Sequence, residues 1–294
     1  MTRLVPLAEA ADAALVGGKA ATLARLARAG FPVPPGFCVG TDALAPYAAA
    51  VAPAVTAALG DPPPRDPAGA RRAAAAIRTA ALATPLPAPL ARALAGARAA
   101  LAEPRPGAAL AVRSSSPAED GAHASYAGQH ETVLGVRGDA ALDAAVRTVW
   151  ASLWAAPAIL YRGRRGTAAP PAMAVLVQTE VACEAAGVLF TRDPREPSAM
   201  RLEAVRGAGE RLVGGRGADE SWGVAREGGG AVRTGAGPAL LAPADVARLA
   251  ALGRALEAFL GGPQDVEWGL AAGALVVLQA RPITTSGAPR AATG

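Results

Sequence analysis

Val16-Gly17-Gly18-Lys19-Ala20-Ala21-Thr22-Leu23 is the stretch from which the chain is best read, because Lys19 is the only lysine in 294 residues. Lysine and arginine together number 29, so every other basic residue is an arginine. An ammonium is a compact point charge on a flexible stem, suited to a phosphate, whereas the planar guanidinium fork suits bidentate carboxylate pairing. Gly17 and Gly18 let the backbone come close to a ligand, and the Ala-Ala-Thr-Leu-Ala-Arg-Leu run that follows opens a helix. The bland alternative is a surface lysine in an arginine-biased chain.

Composition sets the outer limits. A chain of 294 residues has room for one large or two smaller domains. The apolar fraction of 52% and mean hydropathy of +0.26 come mostly from alanine. The longest uncharged run, 43–60, contains Pro46 and Pro53, so no stretch reads as a membrane span. Glu9 and Asp12 stand where an export signal needs an apolar run, and Cys38 and Cys183 are far apart and unpatterned. Both features point to a reducing, cytoplasmic setting and away from a structural metal site. The net charge of +5 raises a nucleic-acid partner, but arginines are scattered from Arg3 to Arg290 and aromatic residues make up only 4%. A basic cleft for a polyanionic small molecule fits the same charge, and neither nucleic acid nor membrane is expected as a partner.

The pattern predicts a strand at 4–7, a helix at 20–29 stopped by Gly30, and an extended Pro-rich segment leading into a strand near 37–39. Thr41 is a plausible N-cap for helical structure over 42–59, broken or kinked into pieces by Pro46 and Pro53. Helices are expected at 68–82, 89–102, 140–154, 157–165 and 243–260. Strands are expected at 109–112, 131–136, 172–177, 187–190 and 201–205. Residues 264–270 and 274–283 form a hairpin around Ala271-Ala272-Gly273.

Two further clusters carry chemistry. Arg113-Ser114-Ser115-Ser116-Pro117-Ala118-Glu119-Asp120 leaves a strand with a cation, three hydroxyls and a carboxylate pair, a set that either grips phosphate or forms a solvated loop. The hairpin sets Glu267 beside Gln279 or Arg281, either as oxygen ligands for Mg2+ with an arginine at the transferred charge, or as a structural Glu267–Arg281 salt bridge. Residues 207–215 fail the dinucleotide fingerprint at Leu212, and residues around Lys19 fail the Walker pattern at Ala13 and Ala20.

In order and wording, these segments resemble the ATP-binding domain of the phosphoenolpyruvate synthase, pyruvate phosphate dikinase and rifamycin phosphotransferase family, an ATP-grasp fold. Residues 16–23 with 30–37, 112–120 with 124–132, 177–178 with 187–194, 207–215, 265–268 and 279–282 carry the likeness over 4–285. The resemblance implies an α/β (α+β) fold of two lobes, 1–170 with a helical insertion and 171–285, followed by a flexible tail at 286–294. Mg-ATP is implied between the lobes.

Residue by residue, Lys19 and Arg113 are similar to the pair that grips the ATP phosphates, with Ser114 and Ser115 in the phosphate loop. Glu267 and Gln279 correspond to the Mg2+ ligands and Arg281 to the phosphate-contacting arginine beside them. Lys19, Arg113 and Arg281 are therefore the implied catalytic residues. Gln178 matches a nucleotide-pocket position, residues 179–181 match the hinge that reads adenine, and Gly207 and Gly209 lie in a matched segment. Glu180, next to Val181, departs from the commoner methionine; it either accepts a hydrogen bond from the adenine amine or weakens the pocket. The implied reaction passes phosphoryl from ATP to a histidine on a separately encoded swivelling domain, with a further acceptor-binding domain. His123 and His130 read as ordinary loop residues. The alternatives are the ATP module of a rifamycin-type antibiotic phosphotransferase and a non-catalytic ATP-binding regulatory protein.

Overall fold

A computed structural model describes residues 4–102, 107–117, 131–165, 172–209, 217–227, 230–234 and 239–283. It is an α+β architecture of helices and two antiparallel sheets. The chain divides into two compact units, Met1–Arg28 with Pro34–Glu180, and Ala29–Val33 with Val181–Gly294. The expected boundary at 170/171 thus moves to Glu180/Val181, because the strand after it belongs to the first sheet.

That sheet comprises β1 (Leu4–Pro6), β2 (Gly36–Val39), β3 (Leu110–Ser115), β4 (Thr132–Val136) and β5 (Ala174–Thr179), in the order β1-β2-β5-β3-β4. β5 is buried along its whole length, as a central strand covered on both faces must be. β3 runs on through Arg113, Ser114 and Ser115, beyond the strand end expected at Val112. Helix α1 (Ala13–Arg28) packs on β3 and β5, and α5 (Asp139–Ala151) on β3 and β4. Between them in sequence come α2 (Leu44–Leu59), α3 (Pro67–Ala83) and α4 (Ala88–Ala102), with α6 (Ala156–Arg165) after α5. The first unit's core joins Phe37, Val39, Val112, Val175 and Val177 of the sheet to Tyr47, Ile77, Leu142 and Trp150 of the helices.

Two local expectations fail for identifiable reasons. α2 is continuous. Pro46 lies in its first turn, where the missing N–H would have no helical partner, and the carbonyl of Ala49 that Pro53 leaves unmatched lies at an exposed residue. Thr41 opens a short 3-10 turn and caps nothing; its hydroxyl donates to Ala14 O at 3.0 Å. By length and composition alone the stretch Thr41–Leu59 is apolar enough to cross a membrane, contrary to the sequence reading. Here it docks on α3, with Tyr47 buried and its hydroxyl donating to Ala81 O at 2.6 Å. Asp66 does cap α3, its Oδ1 accepting from the amides of Ala68 and Gly69 at 3.0 and 2.8 Å.

The second unit is built on β6 (Ala185–Phe190), β7 (Ala199–Arg206), β8 (Glu220–Ala225), β9 (Ala231–Thr234), β10 (Gln264–Ala271) and β11 (Ala274–Pro282). Their order is β11-β10-β6-β7-β8-β9, all antiparallel. β8 and β9 were not expected; their polar and glycine content hides the strand pattern. Helix α7 (Pro243–Leu260) covers β6 and β10, and Val266, Trp268, Leu189 and Leu249 fill the interface as buried side chains.

An ion pair fastens the far end of α7. Arg226, just past β8, meets Glu257 through Nη2–Oε1 at 2.7 Å and Nη1–Oε2 at 3.0 Å, and also donates to Thr191 O. The hydrogen bond from Arg226 holds the Glu257 carboxyl below its ordinary value. A carboxyl depressed in the folded state contributes stability above its unfolded pKa, and that contribution is lost as pH falls through the folded pKa. Unfolding measured against pH should therefore show wild type more stable than Glu257→Gln near neutrality, with the gap closing in acid. A gap independent of pH would contradict the assignment.

Candidate functional site

In the first unit the site is set by a break inside a helix. α1 leaves helical geometry at Gly17, at φ 80 and ψ 161, a conformation essentially confined to glycine. A Cβ at Gly17 would lie 2.3 Å from both Ser115 O and Ser115 Oγ. The bare backbone therefore rests directly on β3. Three consecutive residues then bond to three consecutive residues of the loop end: Gly18 N–H to Ser116 O, Lys19 Nζ to Ser114 O and Ala20 N–H to Ser115 Oγ, each at 3.1 Å. Ser115 thereby satisfies a first-turn amide that α1 leaves without a helical acceptor. Lys19 is only 7% exposed, and an ammonium this sheltered is best stabilised by an anion.

Alternation decides which neighbours share the side of the sheet that carries α1. Phe37, Val39, Leu110, Val112, Val175 and Val177 face the core. Gly36, Cys38, Ala111, Arg113, Ser115, Leu176 and Gln178 lie on the other face, joined by Thr132, the register partner of Arg113. Lys19, Arg113, Ser115 and Gln178 are thus brought to one side. The Ser114 hydroxyl is not: it points with Val112 into the core, buried and without a hydrogen-bond partner among the described residues. Ser114 offers Lys19 its carbonyl instead.

Gln178 is buried and its Nε2 donates to Pro34 O at 2.9 Å. Glu180 donates its amide to Ala109 O at 2.8 Å, while its carboxylate accepts from the Gly135 N–H of β4. That bond is a structural use the sequence reading did not foresee. Burial pushes the Cys38 thiol up to about 12, so it stays neutral. Glu119, Asp120, His123 and His130 lie outside the described residues.

In the second unit the chemistry sits on the sheet face opposite α7. Glu267 is the register partner of Gln279, and Asp265 of Arg281. Across β6 the same rows reach Glu203 and Arg201 of β7, through Val188 and Phe190. Arg281 bonds Asp265 Oδ2 through Nη2 at 2.7 Å and Nε at 2.9 Å, so Asp265 is an ion partner of Arg281 that the pairing weighed from the sequence, with Glu267, did not include. Burial raises the Asp265 carboxyl, against the pull of Arg281 and with Glu267 and Glu203 adding to the rise. Arg201 and Glu203 pair at 2.7 Å. A register shift between Glu267 and Trp268 leaves Leu278 as an extra residue on β11, a bulge of the kind that re-aims neighbouring side chains.

Val181 opens the second unit, its carbonyl accepting from Cys183 N–H at 2.9 Å. Gly207 follows β7 at φ +76 and donates its amide to Glu184 O at 2.9 Å; Gly209 is two residues on, and 210–216 lie outside the described residues. As site residues Asp265, Glu203 and Arg201 were not singled out in the sequence, although Asp-x-Glu at 265–267 and Arg-x-Glu at 201–203 carry the period-two signal of one strand face.

The donors at Glu267 and Gln279 are a carboxylate and an amide, both oxygen ligands suited to a hard cation. Among the described residues no group of three His, Cys, Asp or Glu could hold a metal.

A family model described as the pyruvate phosphate dikinase AMP/ATP-binding domain matches residues 13–239 and 233–293. The chain belongs to this family. It is 37% identical to a rifampicin phosphotransferase of Streptomyces sp over 94% of this chain and 35% of that protein. It is 34% identical to the prodigiosin synthesizing transferase PigC of Serratia marcescens over 93% of this chain and 32% of that protein. With a probable phosphoenolpyruvate synthase of Methanothermobacter thermautotrophicus it shares 33% identity over 94% of this chain and 45% of the relative. The chain thus spans from about a third to less than half of the length of these relatives.

Gly17 and Gly30 separate the two costs of adding a methyl group. Both have positive φ, but a Cβ at Gly30 meets nothing within 4 Å. Gly30→Ala should lose only the backbone term, about 1 kcal/mol, whereas Gly17→Ala should lose clearly more in chemical denaturation and should also lose ATP binding. Equal costs for the two variants would show that the contact between Gly17 and Ser115 is not tight.

Proposed function

We propose that this chain is the Mg-ATP-binding module of a dikinase-type phosphotransferase, and that it passes phosphoryl from ATP to a histidine on a partner domain. The observation that carries the reading is the single lysine, buried and bonded to β3 on the side that bears Arg113. In this reading Lys19 and Arg113 grip the phosphates, and Gln178 holds the chain at Pro34 behind the nucleotide. Residues 179–181 supply backbone groups to the base, and Gly207 and Gly209 let the chain approach it closely. Glu267 and Gln279 would hold Mg2+, which when bound neutralises charge on the phosphate oxygens. Arg281, oriented by Asp265, steadies the group in transfer. The bond from phosphorus to the nucleotide oxygen breaks as a bond to an imidazole nitrogen forms, and the nucleotide departs with the electron pair.

Phosphoryl transfer depends mostly on placement and electrostatics. Without its acceptor the chain should therefore bind ATP and turn it over slowly. A second reading is favoured by 37% and 38% identity to two rifampicin phosphotransferases: the same first half-reaction serving an antibiotic as final acceptor. The two readings differ only downstream of the histidine.

Calorimetry should show Mg-ATP binding that Lys19→Arg weakens, since a fork cannot replace a point charge at this depth. Mixing the chain with a swivelling domain of the family and ATP should give an acid-labile phosphohistidine on that domain. Glu267→Ala should abolish the transfer while leaving the melting transition in place. Rapid ATP turnover by the chain alone, indifferent to Glu267→Ala, would overturn the proposal.

A further inference from the structure

The segment Ala29–Val33 lies in sequence between α1 and β2 of the first unit, yet it groups with the second. Gly30, at φ +84, turns the chain out of α1. Val33 N–H then donates to Phe31 O at 2.9 Å, closing a three-residue turn centred on Pro32. The pyrrolidine ring fixes φ near the value an inverse γ-turn requires. This turn uses the carbonyl of Phe31 and leaves that of Pro32 to accept from Val277 N–H at 2.7 Å. The Phe31 ring meets Phe259, in the last turn of α7, with centroids 5.5 Å apart and planes inclined by 54°. Phenylalanine occurs only four times in the chain, so half of its phenylalanines meet in this one contact.

Val277 lies on β11, the edge strand of the second sheet. Its N–H bonds to Pro32 rather than to β10, so Pro32 meets the edge of the sheet. The position matters more than the bond. Val277 immediately precedes the bulged Leu278, and Gln279 comes next, opposite Glu267. A bulge disrupts the ladder locally and re-aims neighbouring side chains, and here the bulged edge strand carries a side chain assigned to the metal.

We propose that Phe31 and Pro32 form a strap that positions Gln279, with Phe31 seated on Phe259 so that the Pro32 carbonyl holds Val277 and fixes the bulge beside it. Phe31 and Pro32 are positioning residues: they act on Gln279 through the backbone of β11. The inference rests on the reading of Glu267 and Gln279 as the Mg2+ pair.

The test uses the 294-residue chain, Mn2+ as the metal probe in the presence of ATP, and the variants Phe31→Ala, Phe31→Tyr, Gln279→Ala and the Phe31→Ala/Gln279→Ala double. Phe31→Ala should speed hydrogen exchange at the Val277 amide and weaken Mn2+ binding about ten-fold, the usual size of a supporting-shell effect. ATP binding in the presence of a chelator should be unchanged, and Phe31→Tyr should behave as wild type. In the Gln279→Ala background, Phe31→Ala should add nothing further. A Val277 amide that stays protected in Phe31→Ala, or effects of Phe31 and Gln279 that simply add, would overturn the strap. If Gln279→Ala alone leaves Mn2+ affinity unchanged, the metal reading fails and the positioning role fails with it. Exchange at Val277 still reports separately whether the strap holds β11.

Discussion

No side-chain carbon fits between Gly17 and Ser115, and the arrangement of the first unit's site follows from that contact. The helix must break there so that its next three residues can bond to the end of β3. The break brings the only lysine out of bulk water and onto the sheet face that carries Arg113 and Gln178. Desolvating an ammonium is costly unless it is paired or hydrogen-bonded; the Ser114 carbonyl supplies one such bond, and the proposed phosphate would supply the opposite charge. A solvent-exposed lysine at the same place would need neither the glycine nor the buried backbone contacts.

The second sheet solves a different problem. One face is apolar and packed on α7, while the other gathers Asp265, Glu267, Glu203, Arg201, Gln279 and Arg281 in two rows across the strands. Each arginine with a bond on this face is tied to a carboxylate, Arg281 to Asp265 and Arg201 to Glu203. Bonds of this kind hold a long side chain in one geometry, which the role proposed for Arg281 at a transferring group requires. The bulge at Leu278 and the Pro32 contact at Val277 bear on the same strand.

Much of this was legible in the sequence, for physical reasons. The terminal hairpin was found because its strands flank a short Ala-Ala-Gly turn, and α7 because Leu249, Leu252 and Leu256 recur at helical spacing; the register that sets Glu267 against Gln279 follows from the turn together with the bulge at Leu278. The family likeness rested on the order and wording of segments such as 16–23, 112–120, 265–268 and 279–282, and the family match bears out the likeness itself. What was not legible is mostly tertiary. Prolines at the first turn and on an exposed face do not break α2. A strand that continues through Arg113 to Ser115 turns the Ser114 hydroxyl toward the core, which a loop reading of three serines could not anticipate. Ala29–Val33 groups with the second unit and meets it through Phe31 and Phe259, residues 228 positions apart, for which no local pattern exists.

Because Lys19 is the only lysine, incorporating lysine labelled with 15N at Nζ gives the protein a single side-chain ammonium resonance. Following that resonance on titration tests the central assignment directly. It should move on adding Mg-ATP or inorganic tripolyphosphate and stay in place with adenosine, as expected for a charge that meets phosphate and not base. A resonance unmoved at saturating Mg-ATP would contradict the account of Lys19 as the phosphate-binding cation of this site.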